Sequence, residues 1–171
     1  MRLFIAIQFS QSILDALTSL QLQWKSLGMR GHHVSPENLH LTLAFIGEYG
    51  KPEHVMDVME SISFHPFSIH LDGVGNFRDL CWAGIANNEE LSRCVRCLRK
   101  ALADDGIPFD RKRFFPHVTL VRKAQFQGSM ELLTKYAPVG EMEVDSISLM
   151  SSTRGKNGMI YTKIGQLDAA K

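Results

Sequence analysis

The sequence predicts an α+β fold with mixed or antiparallel sheets. Strand-like and helix-like segments interleave, but the connections between them are too varied for a doubly wound parallel sheet. A His-x-Thr-Leu tetrapeptide occurs twice, at His40–Leu43 and His117–Leu120, each time in a strand-like run, which points to two related halves. No Pro-, Gly- or Ser-rich tract marks a linker, so two lobes, if the halves form them, must pack closely within one domain over 1–171.

Residues 2–9 have strand composition. Ser10 then caps an amphipathic helix in which Ile13, Leu14, Leu17, Leu20, Trp24 and Leu27 recur at helical spacing until Gly28. The run Leu39–Ile46 alternates before turning apolar, which suits a strand ending at Gly47, and Pro52 opens a helix carrying Val55, Val58, Met59 and Ile62. Strands follow at 67–74, broken by Gly73 and Gly75, and at 81–86, ending in the turn-prone Asn87-Asn88. The strongest helical pattern starts from Asn88 as cap: Glu89 and Glu90 suit the positive helix start, Leu91, Val95, Leu98 and Leu102 form the stripe, and Gly106 ends it. A short strand at 116–121, a short helix at 129–136 after Ser129, and strands at 141–149 and 159–164 joined by Arg154–Gly158 complete the chain.

Length and composition narrow the function classes. A chain of 171 residues can bury roughly 70% of its unfolded surface, so its core needs no metal or disulfide. With 44% hydrophobic and 22% charged residues it is neither disordered nor fibrous. No apolar run approaches the roughly 18 residues of a membrane span, and no small-residue cleavage site follows the short apolar start, so a cytoplasmic protein with no membrane partner is expected. Three cysteines, Cys81, Cys94 and Cys97, fit a reducing compartment. Cys94 and Cys97 fall inside the predicted helix, away from the helix start that would activate a thiolate, and no second pair completes a zinc site. Net charge is +1 but unevenly placed: residues 1–92 carry −5, residues 93–123 carry +6 and the remainder none. The basic stretch, from Arg93 through Arg111, Lys112 and Arg113 to Arg122 and Lys123, reads either as a phosphate-facing surface or as a solvated helix face with a basic loop.

The chemistry sits in the repeated tetrapeptide. At this composition about 0.03 matches are expected by chance, and two are present. Residues two apart on a strand share a face, so each motif sets an imidazole beside a hydroxyl, His40 with Thr42 and His117 with Thr119, while Leu41 and Val118 point into the core. If a pseudo-twofold axis relates the halves, the two pairs face one another across a cleft. Two imidazoles aimed at one phosphorus supply a base on the attacking side and an acid on the leaving side of an in-line displacement. The hydroxyls would bind the non-bridging oxygens, where negative charge develops. A zinc site from His32, His33, His40 and His117 lacks a supporting ligand pattern, and Gly73-Val74-Gly75 is too short for a dinucleotide fingerprint. Phe45, Phe77, Trp82, Phe114 and Phe115 are candidates to stack a base, with core packing as the default for most of them.

The two motif strands resemble the two-histidine phosphoesterase superfamily, and their flanks resemble its branch of RNA 2′,3′-cyclic phosphodiesterases, also called 2′-5′ RNA ligases. The likeness runs through Arg2–Ile7, Pro36–Glu48, Gly73–Phe77 with Trp82, Pro116–Lys123, and Ser148–Ser152 with Gly158 and Tyr161. It implies two similar lobes about a pseudo-twofold axis, each an antiparallel sheet with outer helices, enclosing a central cleft. It implies metal-independent opening of a 2′,3′-cyclic phosphate at an RNA end to a 2′-phosphate, with reversible 2′-5′ ligation as a second activity and no cofactor. By that resemblance His40 is the general acid on the leaving O3′ and His117 the base on water. Thr42, Thr119 and Arg122 hold the phosphate. The partners implied are RNA ends or small nucleotides with a cyclic phosphate, met by a monomer. His33, Phe115 and Ser151 depart from residues common at their places, which bears on nucleobase contacts. The alternatives are a phosphodiesterase for small cyclic phosphates or 2′-5′-linked oligonucleotides, and a non-catalytic nucleotide-binding module using the same cleft.

Overall fold

The computed structural model describes residues 1–171. In chain order it contains β1 (Arg2–Gln8), α1 (Gln11–Ser26), β2 (Arg30–His33), a 3₁₀ turn (Pro36–Asn38), β3 (His40–Glu48), α2 (Pro52–Glu60), β4 (Phe67–Phe77), β5 (Leu80–Ile85), α3 (Glu89–Asp104), β6 (His117–Gln125), α4 (Met130–Thr134), β7 (Glu141–Val144), β8 (Ser146–Gly155) and β9 (Gly158–Asp168). The strands form two sheets, in the orders β3-β1-β8-β9 and β2-β6-β5-β4-β7, with every neighbouring pair antiparallel.

The two lobes repeat one course. In each, a strand (β1 or β5) leads into a 16-residue helix (α1 or α3). The motif strand (β3 or β6) then returns antiparallel beside the first. The sheet orders match once β2 is set aside as an extra edge strand on β6. The helices bridge the lobes: α1 lies against β6 of the other sheet, and α3 lies against both β3 of the other sheet and β4 of its own. One core of 36 buried residues therefore runs through both sheets, with Leu3, Ile5 and Ile7 of β1 and Leu98 and Leu102 of α3 wholly inaccessible. The cleft lies where the two motif strands meet.

The caps agree with the sequence. Ser10 Oγ accepts from the Ile13 N–H at 3.4 Å, and Asn88 Oδ1 accepts from the N–H groups of Glu90 and Leu91 at 2.9 and 3.2 Å. Ser129 makes no side-chain cap bond, and α4 is one short turn inside the predicted 129–136.

Strand β4 runs on through Gly73 and Gly75 to Phe77 and β6 runs on to Gln125, and three further elements differ from expectation. The segment Arg30–His33 carries no apolar alternation, yet it is a strand, because it completes the open edge of β6. Gly31, at φ +133°, comes so close to that edge that a Cβ would fall 2.8 Å from the carbonyl oxygens of Arg122 and Lys123. The single strand predicted at 141–149 is two strands that break at Asp145 and join different sheets, β7 beside β4 and β8 beside β1. Pattern alone reads through the break because no Gly or Pro marks Asp145 and strand composition continues on both sides of it. The β8–β9 hairpin is longer than predicted, with β9 continuing to Asp168.

Candidate active site

Each motif strand begins at its histidine, and the chain just before it anchors the ring. His40 Nδ1–H donates to the Asn38 carbonyl at 2.7 Å, and His117 Nδ1–H donates to the Phe115 carbonyl at 2.6 Å. A carbonyl only accepts, so both Nδ1 atoms carry the proton and both Nε2 atoms are left for other work. Asn38 is itself tied down, its side-chain amide donating to the Met159 carbonyl at 3.0 Å. His40 Nε2 meets Thr42 Oγ1 at 2.9 Å.

Both imidazoles and both hydroxyls line one pocket of about 70 Å³, together with Val34, Asn38, Arg122 and Tyr161. Leu41 and Val118, between them, are buried as expected. Arg122 needs a further explanation, since a residue three beyond Thr119 should leave that face. Across β5, Trp82 pairs with Thr119 and Cys81 with Val121, which leaves Leu120 unpaired in a β-bulge. The extra residue resets the alternation and returns Arg122 to the cleft. The other lobe repeats the device. Between β1 and β3, Ala6 pairs with Thr42 and Ile5 with Ala44, leaving Leu43 unpaired, and Phe45 returns to the cleft at the place equivalent to Arg122.

The carbonyls of both bulge leucines accept hydrogen bonds from a helix side chain. Gln21, buried in α1, donates from Nε2 to the Leu120 carbonyl at 3.0 Å and the Val34 carbonyl at 2.9 Å. Arg99 of α3 donates from Nε to the Leu43 carbonyl at 3.1 Å and from Nη1 to the Lys112 carbonyl at 2.8 Å. Gln21 and Arg99 are each the eleventh residue of their helices. Each joins the bulge of one motif strand to the segment leading into the other. Sequence reading passed over both: Gln21 looks like one more polar helix residue, and Arg99 one member of a basic run.

The surroundings of the two rings differ. Phe4 and Tyr161 enclose His40, with ring centroids 4.8 and 5.3 Å away. Burial pushes the His40 pKa below the ordinary histidine value; the Asn38 carbonyl works against that, and the charges of Arg122 and His117 lower it further. His117 stands among Phe115, Phe77 and Trp82 at 5.5, 5.6 and 6.2 Å, and Phe77 and Phe115 are exposed.

Of the basic stretch, only Arg122 lines this pocket or the larger one beside it. Arg96 pairs with Glu89, Lys100 with Asp104, and Arg111 lies over the Phe109 ring. Arg99 turns inward between Phe109 and Phe114, which removes Phe114 from the base-stacking candidates. Cations that do reach the larger pocket, Arg2, Arg154 and Lys156, come from elsewhere in the sequence. His54 is engaged by Tyr49 and Asp105, and His70 by Glu141, away from the site. His33 is turned inward, and burial lowers its pKa while the Met29 backbone works against that. No three His, Cys, Asp or Glu side chains come together as a metal site.

Two antiparallel lobes sharing one core, with paired His-x-Thr strands facing one pocket, define a two-histidine phosphoesterase fold. The family model of the 2′-5′ RNA ligase superfamily matches residues 11–156, and the chain belongs to that family. Among curated relatives, the RNA 2′,3′-cyclic phosphodiesterase of Archaeoglobus fulgidus is 31% identical over 94% of this chain and 96% of its own length. The Aquifex aeolicus protein of the same name is 33% identical over 95% and 94%. The apo crystal structure of Escherichia coli LigT superposes with a TM-score of 0.83 at 26% identity, covering 99% of this chain and 98% of that one.

Proposed function

We propose that the protein hydrolyses 2′,3′-cyclic phosphates at RNA ends to 2′-phosphomonoesters, using His40 and His117 as its acid and base. One observation carries the reading: two imidazoles, each locked through Nδ1, share a pocket of phosphate scale with two threonines and an arginine. The names of the relatives supply the substrate class.

His117 Nε2 takes a proton from water as the water oxygen bonds to phosphorus. The P–O3′ bond breaks, its electron pair stays on O3′, and the proton on His40 Nε2 completes the hydroxyl. Thr42 and Thr119 donate to the non-bridging oxygens, and Arg122 offsets their charge. The cycle leaves His117 protonated and His40 neutral, and exchange with solvent restores both. No step draws on a metal or cofactor. Replacing water with a ribose hydroxyl on the His117 side gives 2′-5′ ligation, and the exposed rings of Phe77 and Phe115 on that side favour it as the second activity. Both histidines come from one chain, which supports a monomeric, single-domain enzyme. A cytoplasmic setting accords with three cysteines that are all free thiols.

The test is incubation with RNA ending in a 2′,3′-cyclic phosphate, a cyclic mononucleotide and a 2′-5′-linked dimer, with identification of the phosphate position produced. A 2′-phosphate from the first is expected. No product from any of the three would leave only the non-catalytic binding module.

A further inference from the structure

The pocket between the histidines adjoins, on the His40 side, a second cavity of about 690 Å³ that shares His40, Thr42 and Arg122 with it. That volume lies within the roughly 300–1,000 Å³ typical of sites for nucleotide-sized ligands. Arg2 of β1, Arg154 near the end of β8 and Lys156 in the hairpin turn all line it. None of the three forms an ion pair with a carboxylate. Like charges directed at one space repel, and a polyanion entering that space would relieve the repulsion. The cavity also offers a flat surface. The bulge at Leu43 turns Phe45 toward the cleft, where the residue is 38% exposed, and the Arg2 guanidinium lies over its ring at 5.5 Å. Cations interleaved with an exposed aromatic are the means by which proteins hold single-stranded nucleic acid, with charges along the phosphates and a ring for a base.

We propose that this cavity is a channel for the RNA chain on the 5′ side of the reacting end, with Phe45 and Arg2 stacking a base and Arg154 and Lys156 holding backbone phosphates. The proposal rests on the cyclic-phosphate reading and gives it a direction. In a 2′,3′-cyclic phosphate, O3′ belongs to the ribose of the chain itself. A chain that leaves along the His40 side turns the breaking P–O3′ bond toward His40 and leaves the His117 side to the entering water. Geometry then gives His40 the acid's role.

Two experiments test this. The first compares the wild-type protein with the Arg154→Gln/Lys156→Gln double variant, whose changes lie at a hairpin tip outside the core. Binding of an RNA tetramer ending in a 3′-phosphate and of a mononucleotide 3′-phosphate is followed by fluorescence across a salt series. Each phosphate neutralised on a single strand contributes a slope of about 0.7 in log affinity against log salt. The double variant should show a tetramer slope shallower by about 1.4, and it should lose at least fivefold more affinity for the tetramer than for the mononucleotide. Phe45→Ala should weaken the tetramer about tenfold without changing the slope. Equal losses on both ligands, or an unaltered slope in the double variant, would overturn the channel. Because these readouts are binding, a wild-type protein that binds as expected but hydrolyses no cyclic phosphate would count against the activity and not against the channel. The second experiment uses a cyclic phosphate with sulfur in place of O3′, which expels a thiolate that needs no proton. On this substrate His40→Ala should recover at least tenfold more of its lost rate than His117→Ala, and the reverse order would overturn the assigned direction.

Discussion

Gln21 does not itself line the pocket, yet its replacement should slow the chemistry. In Gln21→Leu, a nearly isosteric change, Val34 loses the side-chain donor to its carbonyl, while the Leu120 carbonyl keeps the Val34 N–H at 2.9 Å. One buried acceptor without a partner costs about 1–3 kcal/mol. For a chain of this length a loss of about 2 kcal/mol lowers Tm by about 4–8 °C. The larger effect should be kinetic. Gln21 joins the bulge of the second motif strand to the segment entering the first, so its loss loosens the spacing of the two histidines. A misplacement of about 1 Å can cost about 10²-fold in rate. At a temperature where the variant is fully folded, kcat on a cyclic mononucleotide should fall at least tenfold while KM changes less than threefold. Arg99→Leu should behave alike. Arg99→Gln should retain more activity, because the opposite lobe shows glutamine doing the same work. A lowered Tm with kcat intact would refute the positioning argument and leave Gln21 a purely structural tie.

His40→Ala and His117→Ala should each lower kcat by about 10²–10⁴-fold with the fold retained by circular dichroism, and Thr42→Ala or Thr119→Ala should cost less because proton transfer survives; near-normal turnover in either histidine variant would end the paired mechanism. Arg122→Met removes one of the charges that lower the His40 pKa, so imidazole titration by NMR should show it rising, though burial keeps it below the ordinary value. An acid is active in its protonated form, and activity falls as pH rises through its pKa; the alkaline limb of kcat/KM in Arg122→Met should therefore move to higher pH. A limb that stays in place while the NMR value rises would mean that His40 is not the acid. A strong chelator should leave the rate unchanged, and a loss restored by one specific metal ion would replace the two-histidine mechanism with a metal-assisted one.

What could be read from the sequence was short-range. The two tetrapeptides, the caps Ser10 and Asn88 and the apolar stripes of α1 and α3 are local patterns, and each is where expected. What could not be read depends on residues far apart in the chain. Gln21 and Leu120 are separated by 99 residues and Arg99 and Leu43 by 56, and nothing near Gln21 or Arg99 shows a carbonyl waiting for it. The bulges escaped for a related reason: a bulge is a property of two strands in register, and the motif leucines look like ordinary core residues until the partner strand is known. The charge distribution misled more directly. Residues 93–123 hold most of the excess positive charge, but helix ion pairs and ring contacts use much of it and only Arg122 reaches the cavity, whose other cations, Arg2, Arg154 and Lys156, lie outside that stretch.

The same comparison shows why the motifs alone could not tell acid from base. Each lobe contributes a histidine held by the carbonyl two residues before it, a threonine two residues after it, a bulge at the next leucine and a helix side chain on the bulge carbonyl. A machine built twice over is indifferent to direction. The direction must come from what breaks the symmetry, and that is found just outside the motifs. Three residues past the threonine one lobe presents Phe45 and the other Arg122, and both line the cavity beside His40. His40 is closed in by Phe4 and Tyr161 and adjoins a cationic cavity, while His117 stands against rings that face solvent. On the proposed reading a phosphate chain is drawn to the first side and water enters from the second. Burial holds the His40 pKa below its ordinary value in the free protein, and the negative charge of a bound cyclic phosphate beside it would favour its protonated form, so in the proposed mechanism the substrate itself readies the acid it needs.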